Sequence, residues 1–312
     1  MNRATRVAGV EVLEGIYGSP SPELVPGLFQ PVRFSPLVPG AAAIDEAPGG
    51  AFARLVVAAP PGSLERRFVL AHALRALAPG GELTALAPKA KGGARLRAEL
   101  EAFGCTVQES ARRHHRICVS PRPETTVGLE DAIEAGGPRW LPDLEVWSQP
   151  GVFSWDRLDP GTALLIASEP HLAGRGADLG CGIGVLARAA LAREAVTELI
   201  LVDIDRRAVA AAERNLADRR AIFLHADVRR LPPVIAGLDF VIMNPPFHRD
   251  GGKDLGLGLA FIAAAAGVLK PGGLCRLVAN QALPYEAALR EHFSVVTPLG
   301  QSGGYKLCEA RR

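Results

Sequence analysis

The stretch Gly176-Ala-Asp178-Leu-Gly180-Cys-Gly182-Ile-Gly184 lies between a short apolar run and a helical pattern over 185–193, and it decides the fold. Its glycines at 180, 182 and 184 permit a tight turn that brings the backbone close to a ligand. A strand, a glycine-rich turn and a helix in this order are typical of a nucleotide-binding α/β sheet. The sequence therefore predicts an α/β fold with a ligand held at this turn.

Three acidic residues accompany the turn and indicate what it binds. Asp203 ends an apolar run 19 residues after Gly184, where an acid on the second strand meets a ribose diol. Asp227 follows the next predicted strand and is placed to accept from an adenine amino group. Asp178 directly precedes the glycines, where a pyrophosphate would favour uncharged N–H donors, so it favours a ligand with an ammonium group. A nicotinamide dehydrogenase is the alternative, since it would share the glycines and Asp203.

The segment Asn244-Pro245-Pro246-Phe247 follows the apolar run 238–243, at a predicted carboxyl end of the sheet where such folds bind ligands. An exocyclic amine on an aromatic ring is a poor nucleophile, because its lone pair is delocalised. The Asn244 oxygen and the Pro245 carbonyl can each accept one amine hydrogen and so aim the lone pair. The two prolines stiffen the loop, and Phe247 offers a flat face for an unstacked base. His248 is interpreted as a loop residue, because no strong base is needed.

The glycines, the ladder of aspartates and this loop resemble class I S-adenosylmethionine-dependent methyltransferases. Further segments, Gly151–Ser154, Asp159–Thr162, Val278–Tyr285 and Gly304–Leu307, together with Asn244–His248, resemble the bacterial ribosomal RNA guanine-N2 methyltransferases of the small-subunit type and their large-subunit relatives. The resemblance covers 151–312. It implies a seven-stranded class I sheet, S-adenosylmethionine as cofactor, and methyl transfer to the guanine N2 amine within ribosomal RNA of the small subunit or its assembly intermediate.

The resemblance also implies roles for individual residues. It implies that the methionine end of the cofactor is bound by Asp178, Gly180, Gly182 and Gly184, that the ribose is bound by Asp203, and that the adenine is bound by Asp227. The target amine falls to Asn244, Pro245, Pro246 and Phe247. No metal is implied.

Two parts of the chain resemble each other, 185 to 192 residues apart. The matched segments are Leu55–Pro61 with Phe240–Pro246, Leu74–Leu86 with Ala266–Val278, and Arg116–Cys118 with Lys306–Cys308. In the first part Ala59 stands in the place of Asn244, and no glycine-rich turn occurs. We therefore predict two tandem Rossmann-like methyltransferase domains. The first, 1–142, is degenerate and docks RNA or is structural, and the second, 143–312, is catalytic. The segment 121–150, rich in proline and glycine, is predicted to be an irregular connector.

Composition is compatible with this scheme. The chain has 312 residues, 48% of them hydrophobic, and a net charge of +2, which neither requires nor excludes nucleic acid. No long apolar segment predicts a membrane span or a signal peptide, so the cytoplasm is expected. The five cysteines lack the spacing of a metal site, so neither zinc nor a disulfide framework is predicted.

Candidate phosphate contacts lie in the first half, at Arg112–Arg116, at Lys89 and Lys91, and at Arg95 and Arg97. A solvated strand edge and helix face would show the same pattern. Two alternatives to the guanine-N2 activity stay open at this point. The same mechanism can act on a protein glutamine amide or on adenine N6, or the chain can be a non-catalytic module that binds S-adenosylmethionine or RNA.

Overall fold

The computed structural model describes residues 5–7, 10–25, 27–169, 171–246, 248–249, 252–253 and 255–312. Contacts divide the chain into two units. The first unit is Met1–Pro138 with Gln149–Gly151, and the second is Arg139–Ser148 with Val152–Arg312. The predicted boundary at 142/143 falls inside a hairpin of the second unit, and the assignment of docking to one part and catalysis to the other stays a prediction.

The described residues of the first unit form seven strands and three α-helices. They are β1 (Thr5–Val7), β2 (Val10–Tyr17), β3 (Val32–Phe34), β4 (Phe52–Ala58), α1 (Ser63–Ala76), β5 (Leu77–Pro88), α2 (Ala94–Ala102), β6 (Gln108–Arg112), β7 (His115–Pro121) and α3 (Leu129–Gly136). The sheet has the order β1-β2-β4-β5-β7-β6, with β3 paired to β2. Its core lies between the sheet and α1, where Leu55, Leu70, Leu74 and Leu83 are fully buried.

The segment 121–150 is not the irregular connector that its composition predicts, because it contains α3 and a hairpin. Gly136 explains the error. A Cβ at this position would come within 2.4 Å of Phe68 Cβ and 2.7 Å of the Leu64 carbonyl oxygen, both on α1. The glycine therefore serves close packing of α3 on α1.

The described residues of the second unit form eleven strands and five α-helices. They are β8 (Arg139–Leu141), β9 (Val146–Ser148), α4 (Pro160–Ala167), β10 (Gly174–Leu179), α5 (Val185–Leu191), β11 (Val196–Asp203), α6 (Arg206–Asn215), β12 (Ala221–His225), β13 (Leu238–Met243), β14 (His248–Arg249), β15 (Gly252–Lys253), α7 (Leu255–Val268), β16 (Leu269–Asn280), α8 (Glu286–His292), β17 (Val295–Ser302) and β18 (Tyr305–Arg311).

Seven of these strands form one sheet in the order β12-β11-β10-β13-β16-β18-β17, which confirms the predicted seven-stranded sheet. The first five are parallel, whereas β18 runs antiparallel to both β16 and β17. Strand β13 is buried on both faces: Val241 and Met243 join one core cluster, and Phe240 and Ile242 join the other. Strands β10, β11 and β12 are added towards one edge of the sheet, and β13 and β16 are added towards the other. The order of the strands thus reverses between β10 and β13, and the carboxyl ends of these two parallel strands flank a crevice suited to a ligand.

Strand registers establish the predicted duplication. Ala85 pairs with Cys118 in the first unit, and Leu277 pairs with Cys308 in the second. The same irregularity interrupts the pairing of β4 with β5, after Phe52, and that of β13 with β16, after Leu238.

These registers correct the sequence alignment by one residue. The counterpart of Asn244 is Ala58, not Ala59, and Ile16 occupies the place of Asp178. Both polar side chains of the second unit are thus replaced by apolar ones. The first unit is the degenerate copy, as predicted.

Candidate functional site

The glycine turn after β10 has the backbone that only glycine adopts readily. Gly180, Gly182 and Gly184 have φ of +77°, +53° and +86°, in the left-handed region. A Cβ at Gly182 would meet no atom within 4 Å, so open space lies beside this residue. The turn is fixed to β11, because the Gly180 and Cys181 N–H groups both donate to the Val202 carbonyl oxygen, at 2.8 and 3.0 Å.

Asp178 is buried at the end of β10, with 1% of its surface exposed. Burial, and then the charge of Asp203, raise the pKa of the Asp178 carboxyl to about 8. The Ala187 N–H lowers this pKa, yet neither carboxylate oxygen has a partner of hydrogen-bond geometry among the described residues. A buried carboxyl group without donors is costly by itself and suits a cationic ligand.

Asp203 ends β11 and stabilises the turn. Its carboxylate accepts from the Gly182 N–H at 2.8 Å and from the Asp205 N–H at 2.9 Å. Burial raises its pKa to about 6, against the effect of these hydrogen bonds.

Asp227 has a different environment. It caps a short helical turn, accepting from the Arg229 N–H at 3.0 Å, and pairs with the Arg229 guanidinium at 2.6 Å. This contact lowers the pKa of Asp227. An adenine amino group would have to share this carboxylate with Arg229.

Asn244 lies at the carboxyl end of β13, and its amide nitrogen is held by two acceptors that sequence reasoning did not identify. Nδ2 donates to Asp159 Oδ2 at 2.7 Å and to Thr162 Oγ1 at 3.0 Å. Both acceptors belong to the N-terminus of α4, 82 to 85 residues earlier in the chain. The only sequence signal was the Asp-Pro-Gly-Thr segment, which is typical of a capped helix start.

A cavity of about 110 Å³ brings these groups together. Its lining includes Asp159, Thr162, Asp178, Gly180, Gly182 and Asn244, and also Phe153, Arg157 and Arg188. The other predicted residues that the structure describes, Gly184, Asp203, Asp227, Pro245 and Pro246, are not in this lining. Phe247 lies outside the described residues, as does the side chain of His248. The cavity therefore combines an unpartnered acid with an oriented amide.

The loop after β4, which corresponds to the one after β13, is filled by the chain itself. The buried Arg66 guanidinium donates to the Pro60 and Pro61 carbonyl oxygens at 3.0 and 2.7 Å, and both its Nε and Nη2 contact Glu99 at 2.6 Å. The carbonyl groups of Pro60 and Pro61 are thus occupied by a side chain of the first unit itself.

The predicted phosphate contacts lie partly on the hairpin of β6 and β7. Its two turn residues, Arg113 and His114, have φ of +47° and +61°. The equivalent turn between β17 and β18 has Gly303 and Gly304, at +57° and +82°. Lys89 adjoins the first hairpin, since its N–H donates to the His114 carbonyl oxygen at 2.8 Å.

Among the described residues, no cluster of three or more metal-ligating side chains occurs. None of the helices in the described part of the chain has the length and hydropathy needed to cross a membrane.

The strand order of the second unit, and its partial repetition in the first, define the class of protein. This is an α/β protein of the class I methyltransferase fold. The family model described as the methyltransferase small domain matches residues 143–309. A ribosomal RNA small subunit methyltransferase C of Pseudomonas paraeruginosa is 34% identical over 282 residues, which are 88% of this chain and 84% of the relative. One from Pseudomonas fluorescens is 32% identical over 86% of this chain and 81% of its own length.

A solved structure agrees with these relatives. The T. thermophilus 16S rRNA N2 methyltransferase (RsmC), in complex with AdoMet and guanosine, is similar with a TM-score of 0.71 and 29% identity, over 87% of this chain and 76% of that one. The chain belongs to the family of the ribosomal RNA small subunit methyltransferases C. The resemblance noted in the sequence is confirmed.

Proposed function

We propose that this protein transfers a methyl group from S-adenosylmethionine to the exocyclic N2 amine of a guanine in ribosomal RNA, in the small subunit or its assembly intermediate, in the cytoplasm. The observation that carries the proposal is that Asp178 and Asn244 line one cavity, the first without a partner and the second with its amide nitrogen occupied. The names of the relatives support ribosomal RNA as substrate over a protein glutamine amide, and the N2 activity and bound guanosine of the similar T. thermophilus protein support guanine N2 over adenine N6.

The residues present fit the cofactor. The ammonium group of its methionine part would supply the donors that the Asp178 carboxylate lacks. The open space at Gly182 admits the ligand against the backbone, and Arg157 and Arg188 at the cavity offer cations for its carboxylate. Asp203 would hold the ribose, and Asp227 the adenine.

The chemistry needs orientation more than acid or base. When bound, the cofactor supplies a methyl group on a positively charged sulfur. Asn244 Oδ1 and the Pro245 carbonyl each accept one hydrogen of the guanine amine, so the nitrogen lone pair points at that methyl. The N–C bond forms as the S–C bond breaks, and positive charge develops on the nitrogen next to these two oxygens. The amine then releases one proton to water. Phe247 is assigned the flat face beneath the base.

Nucleoside mass spectrometry tests the activity. Small subunits and free small-subunit RNA from a strain lacking this protein would be incubated with the purified chain and S-adenosylmethionine labelled in the methyl group. We expect label in N2-methylguanosine. Label in N6-methyladenosine or in protein glutamine would replace the proposed substrate, and calorimetric binding of the cofactor without any transfer would favour a non-catalytic module.

We further propose that the first unit docks RNA through the hairpin turn at Arg113 and His114. A left-handed backbone costs a non-glycine residue about 1 kcal/mol or more. The equivalent turn of the second unit avoids this cost with glycines. The presence of Arg113 and His114 at this turn, in spite of the cost, is explained if their basic side chains contact phosphates, with Lys89 beside them. The Arg113 guanidinium also contacts Glu23, so RNA would have to displace that ion pair.

Glycine substitution separates stability from docking. The double variant Arg113→Gly and His114→Gly is expected to unfold at a higher denaturant concentration than the wild type while its KM for RNA rises and depends less steeply on salt. Arg219→Gln, at an exposed arginine of the second unit, removes the same formal charge and should leave KM unchanged. An unaltered KM in the glycine variant would refute docking at this hairpin.

A further inference from the structure

The orientation of the Asn244 amide is imposed by its partners. A carboxylate only accepts hydrogen bonds, so the amide atom 2.7 Å from Asp159 must be the nitrogen. Thr162 Oγ1, at 3.0 Å, occupies the second N–H of the same group. Both donors of Asn244 are therefore engaged, and Oδ1 is the atom of this amide that can accept from a ligand.

Asp159 is itself fixed by the start of α4. It is 8% exposed, and its Oδ2 accepts from the Thr162 N–H at 2.8 Å as the helix N-cap. Pro160 follows at the first helical position, which sets the backbone direction. The Tyr305 hydroxyl on β18 also donates a hydrogen bond to this carboxylate. Burial, and then the charge of Asp159, raise the pKa of Tyr305. Groups from the helix terminus, β13 and β18 thus converge on one acid.

We propose that Asp159 and Thr162 are positioning residues for methyl transfer, which hold the Asn244 amide with its oxygen towards the amine and make that oxygen a stronger acceptor. This inference rests on the proposed function. An amide that donates to a carboxylate is polarised, because hydrogen bonds in a chain reinforce one another. The additional negative charge on Oδ1 lies where positive charge develops on the amine, so it favours the transition state over the bound substrate.

The variant Asp159→Asn removes the charge and keeps the shape and a side chain that can cap α4. We expect kcat to fall about 10- to 100-fold, with the dissociation constant of S-adenosylmethionine and the KM for RNA within about twofold of wild type. The control Asp218→Asn makes the same change at an acid whose partner is Arg220, away from the cavity, and should leave kcat unchanged.

Thr162 provides a conservative rescue. Thr162→Val removes the hydroxyl acceptor at nearly constant volume and should lower kcat by a few fold, since Asp159 still holds one N–H. Thr162→Ser retains the hydroxyl and should keep kcat near the wild-type value. Equal losses in both variants would indicate a packing role and overturn the assignment for Thr162.

A double-mutant cycle tests whether Asp159 acts through Asn244. In an Asn244→Ala background, Asp159→Asn should change single-turnover methyl transfer by less than about twofold, because the group it orients is absent. Losses that multiply, or an Asp159→Asn enzyme with wild-type kcat, would overturn the proposal.

Nuclear magnetic resonance of the Asn244 side-chain amide, identified by its disappearance in Asn244→Ala, gives a readout independent of activity. Its two proton resonances should lie downfield in the wild type and move upfield in Asp159→Asn. Unmoved resonances would refute the contact. If the wild type makes no N2-methylguanosine, the proposed function fails, and this spectrum still decides whether Asp159 holds Asn244.

Discussion

The unpartnered carboxyl group of Asp178 should make the ligand-free protein less stable as the pH rises. Its pKa is about 8 in the folded chain against an ordinary value of 3.8. Between these values the folded state keeps a proton that the unfolded state has lost, so the free energy of unfolding falls with increasing pH. At pH 7 the accumulated loss is about 4 kcal/mol, from about 1.4 kcal/mol per pH unit.

Asp178→Asn removes this titration while leaving a polar group of similar size. The free energy of unfolding of the variant should match that of the wild type near pH 4 and exceed it progressively towards pH 8. All three tryptophans, Trp140, Trp147 and Trp155, belong to the second unit, so denaturant titrations followed by their fluorescence report its unfolding alone. The control Asp218→Asn should show no gain at high pH, because its ion pair with Arg220 lowers the pKa of that acid to about 2.

Cofactor binding should show the opposite trend. An ammonium ligand needs the ionised form of Asp178, so affinity in the wild type should rise by up to tenfold per pH unit from pH 6 to 8, with proton release in calorimetry. In Asp178→Asn the rise in affinity that is due to Asp178 disappears and binding weakens. Titration of the ligand itself affects both proteins equally, so the wild type and the variant are compared at each pH. Parallel stability profiles of wild type and variant, or binding with no difference in pH dependence, would refute the reasoning.

Three further variants have separable outcomes. Asn244→Ala should keep calorimetric affinity for S-adenosylmethionine and lose most turnover, and a near-normal rate would remove Asn244 from the mechanism. Gly182→Ala places a Cβ in the open space beside the turn, so the free energy of unfolding should change by only about 1 kcal/mol. The affinity for the cofactor should fall at least about tenfold, because the Cβ takes space that the ligand would use. Unchanged affinity would argue against a ligand at that turn. Arg66→Ala leaves Glu99 partly buried without its partner and should destabilise the first unit by about 3–5 kcal/mol. Amide hydrogen exchange in the first unit should become faster, while the tryptophan fluorescence transition of the second unit stays unaltered. Protection equal to wild type would contradict it.

Local patterns in the sequence were sufficient for the fold class. The glycines at 180, 182 and 184 require the left-handed backbone that the structure has, and the apolar run 238–243 forms the buried strand β13. The repeat was also visible, because both copies kept their buried strands. Its alignment was one residue wrong, since the paired prolines suggested Ala59 where strand pairing selects Ala58. The roles of the predicted site residues stay predictions.

The sequence by itself determined the α/β architecture, the tandem copies and the family, because turns and periodic burial depend on residues close together in the chain. Only the tertiary structure decided which side chains complete the site. Asp159 meets Asn244 across 85 residues, and Arg66 meets Glu99 across 33. Such contacts follow from how strands and helices pack into a sheet, and no local pattern records them, because the hydrogen-bond partner of a side chain is set by the fold around it.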